Sequence, residues 1–403
     1  MDIKNSKKTN KITVEKPTLA STHKQPPELA IPTNPPSAPS SKKRRFHLSR
    51  RTWIIIGASS CAVLIIVLVV VLFLTRHHFT KAVVPVVQKV KVTAPPKPIL
   101  APSPLTGLEV SPAVAANPVT AVIQENLYPN ARPQSGLSSA GVVYEALVEG
   151  GITRYEAFYQ EPFPADIGPV RSLRTFFAYW GREYNVPVVH AGGNIDAINL
   201  ITPLGMKNID GLANGSYFRR ITTRAAPHNF YIYGPSLQKL VSDKGFATAP
   251  DFTAWPRKSD TKPSKTAPVA PTAATITVNF SGFDYQAKFT YNATTDNYTR
   301  YLAGVLDTDA NGNTPIQPKN VVVMYEPFSL KLTTGNEETP VLGLIGTGKV
   351  QVFEDGNVTQ GTWTKSSNTA RTTFTDAAGK PIALNRGQTW VCVVPVGNSV
   401  VYQ

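Results

Sequence analysis

AGVVYEALVEGGITRYEAFYQ, residues 140–160, is the stretch on which the middle of this 403-residue chain turns. Two runs rich in Val, Tyr, Phe and Thr flank Gly150-Gly151. A glycine pair between β-forming runs is a favoured two-residue hairpin loop. With that loop Glu149 faces Ile152, Leu147 faces Arg154 and Glu145 faces Glu156, all on one face of the ribbon. Two carboxylates directly opposite each other repel unless a cation or a proton lies between them. Two readings of the ribbon therefore stay open: a surface balanced by Arg154, or a site in which Glu145 and Glu156 share a proton or a bound ion.

Downstream, DIGPVRSLRTFFAYWGREY (166–184) reads as a helix beginning at Pro169, with Leu173, Phe176, Phe177, Trp180 and Tyr184 on one face. Arg171 and Arg174 then fall in or near its first turn, where each cation opposes the helix dipole by about 0.3–1 kcal/mol when exposed. A helix start with free N–H groups and two arginines is also a good seat for an anion. That anion is either an external ligand or an internal carboxylate, with Asp166, Glu145 and Glu149 as candidates. VPVVHAGGNIDAINLI (186–201) reads as a strand, a glycine turn and a short helix capped by Asn194. His190 ends that strand, at the edge where open sheets present their sites. His228, in AAPHNFY, follows Arg219, Arg220 and Arg224. A lone histidine is more often structural than catalytic, so both carry that alternative.

The net charge of +15 suggests nucleic acid until it is located along the chain. Residues 1–52 hold 12 Lys/Arg against 3 Asp/Glu, and residues 76–98 hold 5 and none. Residues 99–403 hold 24 against 23, a net of +1, so no nucleic-acid partner is expected. The basic flanks bracket WIIIGASSCAVLIIVLVVVLFL, Trp53 to Leu74, 22 residues without a charge. As a helix it would span about 33 Å, enough to cross a bilayer. The larger Lys/Arg count on its N-terminal side places the N-terminus in the cytoplasm and the rest of the chain outside. Cys61 lies in this segment and Cys392 near the far end, so no intrachain disulfide is expected.

The expected organisation is a disordered basic tail (1–52), a single transmembrane helix (53–74), a Pro-rich stalk (75–104), a mixed α/β region (105–255), a linker (256–274) and a smaller strand-rich region (275–403). In the last, ATITVNF and KNVVVMY read as strands, and KVQVFEDGNVTQGTW as a hairpin on Asp355-Gly356. The fold class is α+β. Several motifs fail. GLIGTGKV has the spacing of a phosphate loop but ends in Val350 instead of Ser or Thr. GLSSAG is not a nucleophile elbow. DTDANGN (307–313) opens like a calcium loop, but Pro318 stands where the bidentate Glu belongs, so a plain turn is expected. No metal site and no cofactor are expected.

PLTGLEV, NARPQSGLSSAGVVYEALVEGGITRYEAFY, IGPVRSLRTFF, VHAGG and APHNFY, followed by NVVVMY, GTGKVQVFEDGNVTQGTW and GQTW, resemble the YerB-like family of bacterial envelope proteins. The resemblance covers about residues 105–400, with N- and C-terminal domains in order. It implies a two-domain α+β extracytoplasmic protein, often a lipoprotein, and no established reaction. The polar residues that match are Arg132, Gln134, Glu145, Glu149, Arg154, Arg171, Arg174, His190 and His228. This chain departs from the pattern in lacking a lipoprotein cysteine, which leaves the transmembrane helix as anchor. It also departs in carrying Glu156 where relatives are expected to be apolar.

The first functional expectation is a membrane-tethered module that binds an anionic or glycan component of the cell envelope. Arg154, Arg171 and Arg174 would hold the anion, and His190 and His228 would donate hydrogen bonds. The alternative is a hydrolase or phosphotransferase acting on such a polymer, with Glu145 or Glu149 as acid/base. A third possibility is a protein-interaction scaffold whose charges only join the two regions; the sequence names no protein partner.

Overall fold

The computed structural model describes residues 64–74, 98–259 and 270–403. The chain divides into two compact units, residues 1–93 and 94–403. In the first, the described residues 64–74 form a helix with exposed Leu, Ile, Val and Phe side chains. Among the described residues no helix is long and apolar enough to cross a membrane. The basic tail, residues 53–63 of the expected span, most of the stalk and the middle of the linker lie outside the described residues.

The second unit is built on one mixed sheet of ten strands. In chain order these are β1 (Val119–Glu125), β2 (Val142–Leu147), β3 (Thr153–Gln160), β4 (Val188–His190), β5 (Asn208–Asp210), β6 (Asn320–Glu326), β7 (Gly346–Glu354), β8 (Asn357–Lys365), β9 (Thr373–Asp376) and β10 (Thr389–Pro395). Across the sheet the order is β9-β8-β7-β6-β10-β2-β3-β1-β4-β5. The two regions read from the sequence therefore share a single sheet, joined where β10 runs parallel to β2 with Cys392 beside Glu145. Residues 255–258 pack onto the second region: Trp255 donates to the Thr372 carbonyl and Arg257 to the Asn385 carbonyl.

One sheet face is covered by a five-stranded antiparallel sheet (residues 275–306 with 400–402) and by a helix, Gly234–Asp243, which bury Ile276, Phe289, Leu237 and Leu240 against Val143, Tyr155 and Trp390. The other face receives the helix α1 (Thr175–Tyr184), which buries Phe176, Phe177, Trp180 and Tyr184 against Val142, Tyr144 and Val322. The apolar face expected of this helix is the one it buries. Its far end is pinned by Glu183, whose carboxylate accepts from Lys365 at 2.8 Å and Arg371 at 2.5 Å.

Two expectations of local geometry are corrected. The β2–β3 hairpin closes through three residues, Glu149-Gly150-Gly151, with both glycines left-handed at φ 68° and 71°. Val148 donates to the Ile152 carbonyl at 2.7 Å, and Leu147 stands opposite Thr153. Glu145 is thus opposite Tyr155, and Glu156 opposite Tyr144. The one-residue shift puts Glu145 and Glu156 on opposite faces, so the carboxylate pair does not form. All six residues of β2 are buried. With both faces covered, the apolar pattern carries no register information.

The helix begins at Thr175 rather than Pro169, with Arg174 as its N-cap. Residues 170–173 stay extended because their N–H groups serve other strands and loops: Val170 donates to Phe230, Arg171 to Ile123 and Leu173 to Gly192. The Asp355-Gly356 hairpin and the Asn194 cap, whose side chain accepts from the Ala197 N–H, form as expected.

Candidate functional site

The strands β1, β2, β4, β6 and β10 point the same way, since each neighbouring pair is parallel or linked through one antiparallel strand. Their carboxyl ends gather Glu125 at the end of β1, Glu149 after β2 and His190 at the end of β4. The extended segment 170–174 and the start of α1 lie across that edge. A hairpin between β6 and β7 (Phe328–Leu332 with Glu338–Leu342) reaches over from the second region. The carboxyl edge of a mixed sheet is the usual place for a ligand site.

Glu125, whose side chain is 4% exposed, accepts from Arg171 Nη2 at 2.6 Å and lies 3.0 and 3.1 Å from His228 Nδ1 through its two oxygens. Arg154 stands directly opposite Glu125 across the β1–β3 pair, yet makes no bond to it. Arg154 is 9% exposed, and its Nη1 donates to the Ser172 carbonyl at 2.8 Å. Its Nε is buried without a partner. Burial first, then the nearby Arg174 and Arg171 guanidiniums, push its pKa down to about 9 against the opposing pull of Glu149 and Glu125. Arg171 keeps a second buried nitrogen, Nε, without an acceptor.

Arg174 is different. It grips Glu149 with two bonds of 2.6 Å, from Nε and Nη2, and gives Nη1 to the Leu173 carbonyl. Glu149 also accepts from Thr339 Oγ1 at 2.7 Å, which in turn accepts from Asn194. Burial disfavours the charged Glu149, but the Arg174 guanidinium and the Thr339 hydroxyl outweigh it and hold its pKa at about 2. This pair fastens the 149–151 loop, α1 and the 328–342 hairpin together. Three guanidiniums thus face two carboxylates at the sheet edge, and the charge left over falls on Arg154.

The remaining sequence candidates lie elsewhere or are fully engaged. Glu145 is completely buried on the opposite face, with Arg300 Nη2 at 2.8 Å, Trp390 Nε1 at 3.0 Å and Thr153 Oγ1 at 2.9 Å. It has no open face from which to act on a substrate. Glu156 is buried beneath α1 with neither oxygen bonded, and burial, then Glu183, pushes its pKa well above the usual carboxylate range. His190 is buried with both ring nitrogens engaged, Nδ1 at 2.8 Å from the Gly192 carbonyl and Nε2 at 2.6 Å from Asn208 Oδ1. It orders the turn after β4 and offers no free donor. Arg132 and Gln134 both bond to Asn126 Oδ1 in a support beneath the Glu125 end of β1. The DTDANGN turn places Asp309 against the Gly136 and Ser138 N–H groups at 2.9 and 2.8 Å, which joins the two regions. Among the described residues no group of three or more His, Cys, Asp or Glu is arranged to hold a metal ion.

Sequence reasoning missed Glu125, Arg300, Thr339 and the Ser172 carbonyl. A signal for Glu125 existed: VTAVIQE is an apolar strand that ends in a lone carboxylate. Arg300 lies 155 residues from Glu145 and Thr339 190 residues from Glu149, and no local pattern announces either pairing.

Comparison with known proteins adds the family. Residues 105–247 match the family described as "Protein of unknown function (DUF3048) N-terminal domain", and residues 276–391 match its C-terminal domain. The chain is 30% identical over 297 residues to the protein named "Putative lipoprotein YerB" of Bacillus subtilis (strain 168), covering 73% of this chain and 86% of that one. The crystal structure of YerB from B. subtilis superposes with a TM-score of 0.66 at 27% identity, over 75% of this chain and 99% of that one. Both domains in order, a relative matched over most of its length and a shared fold lead to one conclusion: the chain belongs to the DUF3048 family, whose function is unknown.

Proposed function

We propose that this protein is an envelope-anchored, extracytoplasmic binding module for an anionic ligand, held at the sheet edge by Arg154 and Arg171. One observation carries the reading: Arg154 is buried, has no carboxylate partner, leaves Nε unbonded and lies beside two other guanidiniums. Leaving a buried charge unpaired costs several kcal/mol, and an anion with oxygens between Arg154 and Arg171 would offset that cost with charge-assisted bonds. Arg174, fully committed to Glu149, supports the site instead of holding the ligand. Phosphate, pyrophosphate or the carboxylate of an acidic glycan has the required chemistry.

The location rests on the relative named as a lipoprotein and on this chain's own apolar run. In this reading Trp53 to Leu74 crosses the membrane once and takes the place of a lipid anchor, with residues 94–403 outside the cell.

The test is thermal unfolding of the full-length chain in detergent against phosphate, pyrophosphate and acidic glycans, for wild type and Arg154→Met. A ligand at a hundred times its Kd adds about 2.7 kcal/mol to stability. The expected result is a shift in wild type that the variant loses. No shift with any anion, together with a strongly destabilised variant, would make Arg154 a structural strut and end the proposal.

A further inference from the structure

The second feature of this edge is an imidazole held in one orientation. His228 Nδ1 lies 3.0 and 3.1 Å from the two oxygens of Glu125, and a carboxylate can only accept, so Nδ1 carries the proton and donates it. The Nε2 lone pair then faces away from Glu125. Among the described residues Nε2 has no hydrogen-bond partner, and the His228 side chain is 14% exposed. Glu125 is itself fixed by Arg171 through Oε1, the same oxygen that lies 3.0 Å from His228. Imidazole and guanidinium are therefore neighbours on one carboxylate.

The loop that carries His228 is stitched at its base. Ile221 donates to the Asn229 carbonyl, His228 N–H to the Ala225 carbonyl, and Asn229 Nδ2 to the carbonyls of Ile221 and Arg224. Arg220 holds the Asn229 side-chain oxygen at 2.8 Å. This is the arrangement by which a carboxylate fixes the tautomer of a histidine that works as a general base.

We propose that the anion site is hydrolytic, that its substrate is a phosphate ester, and that His228 is its general base with Glu125 as positioning residue. The proposal rests on the reading of Arg154 and Arg171 as the anion holders. A water molecule gives a proton to His228 Nε2 as its oxygen forms a bond to phosphorus. The bond from phosphorus to the ester oxygen breaks on the opposite side, the departing oxygen takes a proton from solvent water to release the alcohol, and His228 returns its proton to solvent. Arg154 and Arg171 stabilise the charge on the non-bridging oxygens. Water is the sole co-reactant, and no electrons change hands.

The experiment uses the full-length chain with p-nitrophenyl phosphate and bis(p-nitrophenyl) phosphate, and measures inorganic-phosphate-induced thermal shifts in parallel. Wild type is expected to hydrolyse at least one ester. His228→Gln should lose 100-fold or more of kcat, in line with the usual worth of a general base, while keeping the phosphate-induced shift. Glu125→Gln should lower kcat more than it raises KM. Free imidazole should restore turnover to His228→Ala, which a purely structural histidine would not allow. Arg154→Met should lose the thermal shift and raise KM. A phosphate shift without turnover of either ester, or full turnover by His228→Gln, overturns the hydrolytic proposal and leaves the binding module standing. Absence of the shift in wild type overturns both.

Discussion

Glu145 with Arg300 and Asp307, and Glu125 with Arg171 and Arg154, are clusters made of the same residue types on opposite faces of one sheet. The first is buried throughout, although Arg300 Nε and the Tyr155 hydroxyl within it have no hydrogen-bond partner. Arg300 is fully buried, bonds to Glu145 at 2.8 Å and to Asp307, and lies 4.4 Å above the Trp390 ring. Burial works against its charge, yet Glu145, Tyr155 and Asp307 keep its pKa well above the ordinary value. The second cluster lies at the strand ends, where the side chains of Arg171 and His228 are 22% and 14% exposed. The first has two carboxylates for one guanidinium, the second three guanidiniums, counting Arg174, for two carboxylates. In the proposed reading, the guanidiniums in excess at the carboxyl edge are the ones that meet the anion.

The contrast can be broken most forcefully at the first cluster. Arg300→Met leaves Glu145 and Asp307 buried without their cation, and the expected loss is about 3–5 kcal/mol of unfolding free energy in urea titration. A loss under about 1 kcal/mol would mean that the two clusters do not differ in the way described. Glu149 sharpens the comparison through pH. Its folded pKa of about 2 lies below the ordinary 4.5, so its contribution is complete above about pH 4.5 and vanishes as pH falls through 2. The melting temperature of wild type should therefore drop more steeply over that window than that of Glu149→Gln. Parallel curves would show that the Arg174 pair adds nothing. The smallest effect is expected at Arg154. Replacing an uncompensated buried charge by an apolar side chain is often neutral or stabilising, so ligand-free Arg154→Met should stay within about 1 kcal/mol of wild type or exceed it.

Much of the fold was legible where short-range chemistry governs it. Asp355-Gly356 dictates its hairpin because both positions need positive φ, and they adopt 53° and 70°. Asn194 caps its helix through a bond three residues away. The helical spacing of Phe176, Phe177, Trp180 and Tyr184 identifies the face that α1 buries. The α+β class and the family resemblance follow from such local segments.

What failed was decided at long range. Gly150-Gly151 is compatible with a two- or a three-residue loop, and these differ by one residue of register. The choice is made by partners far along the chain, with Arg300 on one face for Glu145 and the buried surface under α1 on the other for Glu156. Pro169 marks a helix start in isolation, but backbone bonds from residues 170–173 to Phe230, Ile123 and Gly192 keep that segment extended. The sequence by itself offered most of the polar residues of this edge, Arg154, Arg171, Arg174, Glu149 and His228, but not Glu125. Only the tertiary structure decided that Arg174 is bound by Glu149, that Glu125 orients His228, and that Arg154 is left with charge to share. A side chain's partners are set by the packing of distant strands, and a linear pattern records only the donors.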